Sequence, residues 1–147
     1  MDINNNSIGK WISTLYRISQ SYINKELKSY NIGSGQYIFL INLYKKDGIS
    51  QEELADKLSI DKGTTARAIS KLEEQGYIRR ERDKKDKRAY KVYVTDRALE
   101  IKPKIIEVLT SWNHIIASDF TDEDMRMTLE LLQKMSSNAC KYFKENK

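Results

Sequence analysis

The chain of 147 residues holds one cysteine, one histidine and one proline. With Cys140 alone, no intramolecular disulfide framework can form, which fits a reducing cytosol and predicts a cytoplasmic protein. One histidine, His114, beside one cysteine cannot furnish a transition-metal site without several carboxylates, so no metal and no cofactor is expected. His114 flanks the apolar stripe at Trp112 and reads as structural or interfacial, and Cys140 reads as inert or interfacial. There is no glycine-rich phosphate loop and no nucleophile–base spacing, so no catalytic residue is assigned and no enzyme is expected. No apolar run reaches membrane-spanning length, and the polar start (Asp2, Asn4, Asn5, Asn6) lacks the apolar stretch of a signal peptide, so no membrane partner is expected. Repeats, low-complexity tracts and linkers are also missing, and a single domain, 1–147, is predicted.

What the chain does have is unevenly placed charge. The net charge is +5. From Lys62 to Lys91 there are eleven Lys or Arg against five Asp or Glu, while the remainder carries 15 basic and 16 acidic groups. A local excess of this kind is the electrostatic footprint expected of phosphate binding, although a solvated charge run gives the same count. Lysine outnumbers arginine 18 to 8, and Asn and Ile are plentiful, a bias that points to an AT-rich bacterial genome.

Apolar periodicity predicts the elements. Ile8, Trp11, Ile12, Leu15, Ile18, Tyr22, Ile23 and Leu27 recur at three and four residues and predict one long amphipathic helix, broken by Tyr30 to Gly35. A second helix follows from Gln36, with Tyr37, Leu40, Ile41 and Tyr44 on its apolar side and Asp47-Gly48 at its end. Ser50 and Glu53 form a capping-box signature for a third helix, whose buried stripe is Leu54, Ala55 and Leu58. Ser59-Ile60-Asp61 is a tight turn in which Ile60 plugs the core and Asp61 caps a fourth helix, about Lys62 to Gln75, stopped by Gly76. On a helical wheel Thr65, Ala66, Ile69, Leu72 and Glu73 fall on its inner side, and Thr64, Arg67 and Lys71 point away. Two strands are predicted over Tyr77–Arg82 and Ala89–Thr95, joined by the charged loop Asp83 to Arg88. A helical region begins at Thr95, where Pro103 marks either a stop or a kink, and its stripe continues through Leu109, Trp112, Ile115 and Ile116. Thr121 and Asp124 cap a last helix with Met125, Leu129, Leu132, Met135 and Ala139 along one face.

A helix-turn-helix followed at once by a basic hairpin is a winged helix-turn-helix, which predicts binding to double-stranded DNA. The candidate contacts are Lys62, Gly63, Thr64, Thr65, Arg67 and Lys71 on the fourth helix, and Lys84, Lys85, Asp86, Lys87 and Arg88 in the wing. Asp86 would hold the Arg88 guanidinium in one orientation for a narrow minor groove. Both flanking arms carry more apolar surface than a winged helix needs, which predicts a twofold homodimer, the alternative being that the arms wrap one monomeric core. Trp11, Tyr16, Tyr37, Tyr44 and Trp112 either line a pocket for a small aromatic effector or belong to the plain core. A second functional class stays open, a winged-helix protein–protein module whose basic face engages an acidic partner.

The run from Gly48 to Leu99 resembles the MarR (multiple antibiotic resistance regulator) family. The resemblance rests on the third and fourth helices, on Leu72-Glu73-Glu74-Gln75-Gly76-Tyr77-Ile78, on Val94-Thr95-Asp96-Arg97-Ala98-Leu99 and above all on the wing. There the family's Asp-x-Arg-Asp-x-Arg is matched by Asp83, Asp86 and Arg88, with Lys85 in place of an Arg, so the charge stays and the bidentate fork is lost. The resemblance implies a mainly α fold with a small β-hairpin wing, the winged helix covering about 34–98 and dimerisation helices about 6–30 and 99–145. It also implies an obligate homodimer on a palindromic operator, usually a repressor that a small molecule releases.

Overall fold

A computed structural model describes residues 6–146. The first described helix is α1 (Ile8–Leu27), started by Ser7, whose hydroxyl accepts the Lys10 N–H at 3.2 Å. A 3-10 turn, Lys28–Tyr30, and a left-handed Asn31 (φ 57°) redirect the chain into α2 (Tyr37–Lys45). A short strand β1 (Ile49–Ser50) leads into α3 (Gln51–Leu58) and α4 (Lys62–Glu74), joined through a left-handed Ser59. The wing strands are β2 (Ile78–Arg82) and β3 (Tyr90–Val94); α5 (Asp96–Ile116) and α6 (Asp122–Glu145) complete the chain.

Two compact units divide between Thr110 and Ser111. The first is built on one apolar cluster that joins Ile23 and Leu27 of α1, Phe39, Leu40 and Leu43 of α2, Leu54 of α3, Ile69 and Leu72 of α4, Val92 of β3, and Ile105 of α5. Each of these is withdrawn from water almost completely, so the hydrophobic effect ties the helix-turn-helix to the elements on either side of it. The antiparallel sheet has the order β1-β3-β2, and Val92 at its centre is paired with Ile49 on one side and Arg80 on the other. In the second unit Thr121 and Asp124 form a complete reciprocal capping box at 3.0 Å in each direction, and no residue of α6 is buried.

Several elements differ from the sequence expectation. The wing is a three-stranded sheet rather than a hairpin, because Ile49 and Ser50 pair with Val92 and Lys91. Tyr77 is not a strand residue: it is buried, and its hydroxyl donates to the Tyr30 carbonyl at 2.6 Å. Of the two outcomes open at Pro103 the continuing helix is the one found, since α5 runs on to Ile116. On α4 it is Ala68, not Ala66, that joins Thr65, Ile69 and Leu72 on the buried face. The inner ends of both arms join the winged-helix core: Ile23 and Leu27 on one side and Ile105 and Val108 on the other belong to the same apolar cluster.

Candidate nucleic-acid interface

The exposed face of α4 is organised from its first turn. Asp61 Oδ1 accepts the Thr64 N–H at 2.7 Å, satisfying a helix-start donor, while Oδ2 accepts the Thr64 hydroxyl at 2.7 Å. These two bonds, the backbone one first, hold the Asp61 carboxyl below its usual range. Thr64 Oγ1 in turn accepts from Arg67 Nη2 at 3.1 Å. Arg67 and Lys71 are exposed, and with Ala66, Ser70 and Glu74 they line an open groove along the helix. Gly63 is exposed at the second helical position. Lys62 is also exposed, but its ammonium sits 2.8 Å from Glu52 of α3, which raises its pKa.

Thr65 is the exception among the α4 candidates. It is fully buried, on the side of the helix facing the core, and cannot present its hydroxyl to DNA. The reason is helical geometry: at about 100° per residue, Thr64 and Arg67 three residues apart share the outward face, and Thr65 is turned to the opposite side.

The far end of α4 is fixed to the wing by side chains that sequence reasoning did not single out. Glu73 accepts from Arg80 Nε at 3.3 Å and Nη2 at 2.9 Å, a two-point contact that holds the Glu73 carboxyl below its usual range. The Arg80 guanidinium also lies 5.3 Å from the centre of the Tyr90 ring. The seven-residue separation of Glu73 and Arg80 crosses a helix end and a turn, so no helical or strand periodicity flags it.

In the wing, Asp83 Oδ1 accepts the Lys85 N–H at 2.8 Å and Asp86 Oδ1 accepts the Arg88 N–H at 3.0 Å. The bond from Lys85 is the leading cause of the lowered Asp83 pKa. The loop is closed by Asp83 N–H to the Ala89 carbonyl at 2.9 Å and Ala89 N–H to the Asp86 carbonyl at 3.0 Å. Lys84, Lys85, Lys87 and Arg88 are exposed, and the Arg88 side chain is 95% exposed. A cleft between wing and α3 is lined by Ser50, Gln51, Glu52, Asp86, Arg88 and Tyr90, so β1 brings the start of α3 beside the hairpin tip.

A MarR family model matches residues 32–90. The uncharacterized HTH-type transcriptional regulator YybA of Bacillus subtilis (strain 168) is 32% identical over 133 residues, 90% of this chain and 89% of that protein. The crystal structure of a MarR transcriptional regulator from Methanosarcina mazei Go1 is 47% identical with a TM-score of 0.88, over 92% of this chain and 97% of that one. The chain belongs to the MarR family. It is a winged-helix transcriptional regulator, and its family is one of regulators, not enzymes. A putative MarR family regulator from Listeria monocytogenes, crystallised with 26mer DNA, has a TM-score of 0.84 and 32% identity over 90% of this chain and 89% of that one. These findings support the DNA-binding class and lend nothing to the protein–protein alternative.

The aromatic candidates of this MarR-family chain differ in their surroundings. Trp11 and Tyr16 on α1 are half or more exposed. Burial raises the Tyr37 pKa, and the neighbouring Tyr16 phenol adds to it. Tyr44 is pushed up to about 12, chiefly by burial, and its hydroxyl donates to the Ala98 carbonyl, so it serves the core. Trp112 lies in the second unit. His114 and Cys140 are both exposed. Among the described residues no group of three or more His, Cys, Asp or Glu could hold a metal ion, and no helix is long and apolar enough to cross a membrane.

Proposed function

We propose that this MarR-family regulator acts in the cytoplasm as a homodimeric repressor on a palindromic operator, with α4 in the major groove and the wing at the adjacent minor groove. The observation that carries the reading is the division of labour in the basic segment. Asp83 and Asp86 accept from loop N–H groups and Glu73 accepts from Arg80, while Lys71, Lys84, Lys85, Lys87 and Arg88 face solvent on one stretch of chain, Arg88 with Asp86 at ion-pair distance. Cations presented this way release counterions from phosphates, and Arg67 in the α4 groove can pair with a guanine edge.

The dimer is supported by apolar residues left in water: Ile8, Trp11, Leu15 and Ile18 on α1, and Leu129, Leu131 and Leu132 on α6. An aromatic effector would be met by Trp11, Tyr16 and Tyr37, while Tyr44 is committed to the core.

The test is binding of the full chain to duplex DNA selected from a random pool, titrated against salt. Affinity should fall steeply with salt, and each Lys84, Lys85 or Lys87 change to Ala should flatten the slope by up to about one unit for every phosphate that the lysine neutralises. No measurable affinity for any duplex would transfer the basic face to an acidic protein partner.

A further inference from the structure

The first turn of α4 contains more than a helix cap. Capping requires one acceptor for the Thr64 N–H, and Asp61 Oδ1 provides it at 2.7 Å. The second oxygen, Oδ2, does something else: it accepts the Thr64 hydroxyl at 2.7 Å. An ionised carboxylate can only accept, so the single hydroxyl proton of Thr64 is committed to Asp61. The lone pairs of Thr64 Oγ1 are therefore turned outward, and one of them receives Arg67 Nη2 at 3.1 Å. The direction of every bond in the chain Asp61–Thr64–Arg67 follows from that one constraint.

Gly63 lies beside this arrangement. A Cβ built at Gly63 would stand 3.4 Å from Arg67 Nη1 and 3.4 Å from Asp61 Oδ1, so the guanidinium and the carboxylate both border the bare backbone there. The Arg67 side chain is thus drawn back toward the start of α4, the end from which recognition helices read base edges. Thr64 takes one of five guanidinium N–H donors, leaving enough to pair both O6 and N7 of a guanine.

We propose that Asp61 is a positioning residue for sequence reading: through the Thr64 hydroxyl it fixes the Arg67 guanidinium over Gly63 and thereby fixes which base pair Arg67 reads. The proposal rests on the DNA-binding reading above. It assigns an acidic residue, which by charge alone opposes DNA binding, to specificity rather than affinity. A long arginine held before contact loses less rotamer freedom on reading a base, and it meets only one base position well.

The experiment uses the full chain, its selected operator, a set of operators with each base pair replaced in turn, and random duplex DNA. Arg67→Ala should flatten discrimination at one base pair of each half-site. Thr64→Val keeps the cap and the branched shape while deleting the hydroxyl, and should lower discrimination at that same base pair by about tenfold. Thr64→Ser should restore it. Asp61→Asn remains a good cap; it should lower discrimination there while raising affinity for random duplex, since charge alone would raise both affinities and leave their ratio unchanged. In the Arg67→Ala background, Thr64→Val should change nothing further. The proposal is overturned if Thr64→Val discriminates as the wild type does, if it weakens all sequences equally, or if its effect persists without Arg67. Wild-type protein with no affinity for any duplex overturns the DNA-binding reading itself, a separate outcome.

Discussion

Asp86 Oδ1 accepts the main-chain N–H of Arg88 at 3.0 Å, while its distance to the same residue's Nε is 3.6 Å. The first is a hydrogen bond; the second is too long to be one and is an ion pair. The acid expected from sequence to hold the Arg88 guanidinium therefore acts mainly on the backbone from which that side chain departs. Asp83 does the same for Lys85 at 2.8 Å. Asp is suited to this because its short carboxylate reaches an N–H two residues on, making a turn of the kind that organises tight loops.

Asp86→Asn and Asp86→Ala should consequently move in opposite directions. Asn keeps the acceptor and removes a negative charge, so operator affinity should hold or rise. Ala removes the acceptor, and the loosened turn should lower affinity by roughly 0.5–1.5 kcal/mol despite the gain in net charge. Titration of both variants on one operator at fixed salt decides it. Equal gains would leave the wing as simple electrostatics.

The Glu73–Arg80 contact predicts an acid-sensitive component of stability. Its lowered folded-state pKa means that Glu73 stabilises the fold at pH above the ordinary glutamate value, and that this is lost as pH falls through the lowered value. The side chains are 38% and 25% exposed, so solvent screening limits the effect to about 1 kcal/mol or less. Glu73→Gln should be less stable than wild type in neutral urea titrations, and the gap should close on acidification. A gap that does not change with pH would assign the loss to packing.

Thr65 combines full burial with a hydroxyl that has no hydrogen-bond partner among the described residues. A buried polar atom left unsatisfied costs roughly 1–3 kcal/mol, and valine has nearly the same shape without it. Thr65→Val should raise the denaturation midpoint and leave operator affinity unchanged. A loss of specific binding on that substitution would return Thr65 to the DNA face.

The helical wheel itself places Thr65 on the inner side of α4, where it is buried, against its assignment as a DNA contact. The winged helix was legible because its signals are local: Ser50 with Glu53, Asp61 before α4, Gly76 after it, and a charged loop between two alternating strands. The cap at Asp61 was readable, whereas its second bond to Thr64, and Arg67 beyond it, depended on rotamers that spacing does not determine. β1 is two residues long, too short for alternation, and Ser50 already carried a helix-start signal. Glu73 with Arg80 needs the turn at Gly76 to bring them together. Which parts of the arms join the winged-helix core was not readable, because a stripe reports that a face is apolar, not which partner covers each part of it.

That last distinction decides how the dimer should be tested. The stripe on α1 divides in two: Trp11, Leu15 and Ile18 are each about half exposed, but Ile23 and Leu27 are buried with the winged-helix core. Deleting the helix through Leu27 would therefore damage the fold as well as any interface, and loss of DNA binding would not separate the two. Leu15→Glu is the sharper change, since its site is already half in water and the core does not depend on it. If a second copy covers this face, each Leu15 buries most of its remaining apolar area there, and a charge in its place should cost on the order of 3 kcal/mol per dimer or more. Sedimentation at micromolar concentration should shift toward the monomer, the thermal transition of the isolated chain should persist, and operator affinity should fall because two half-sites are no longer bound together. A Leu15→Glu protein that still sediments as a dimer would remove α1 from the interface and leave the exposed face of α6 as the one to test.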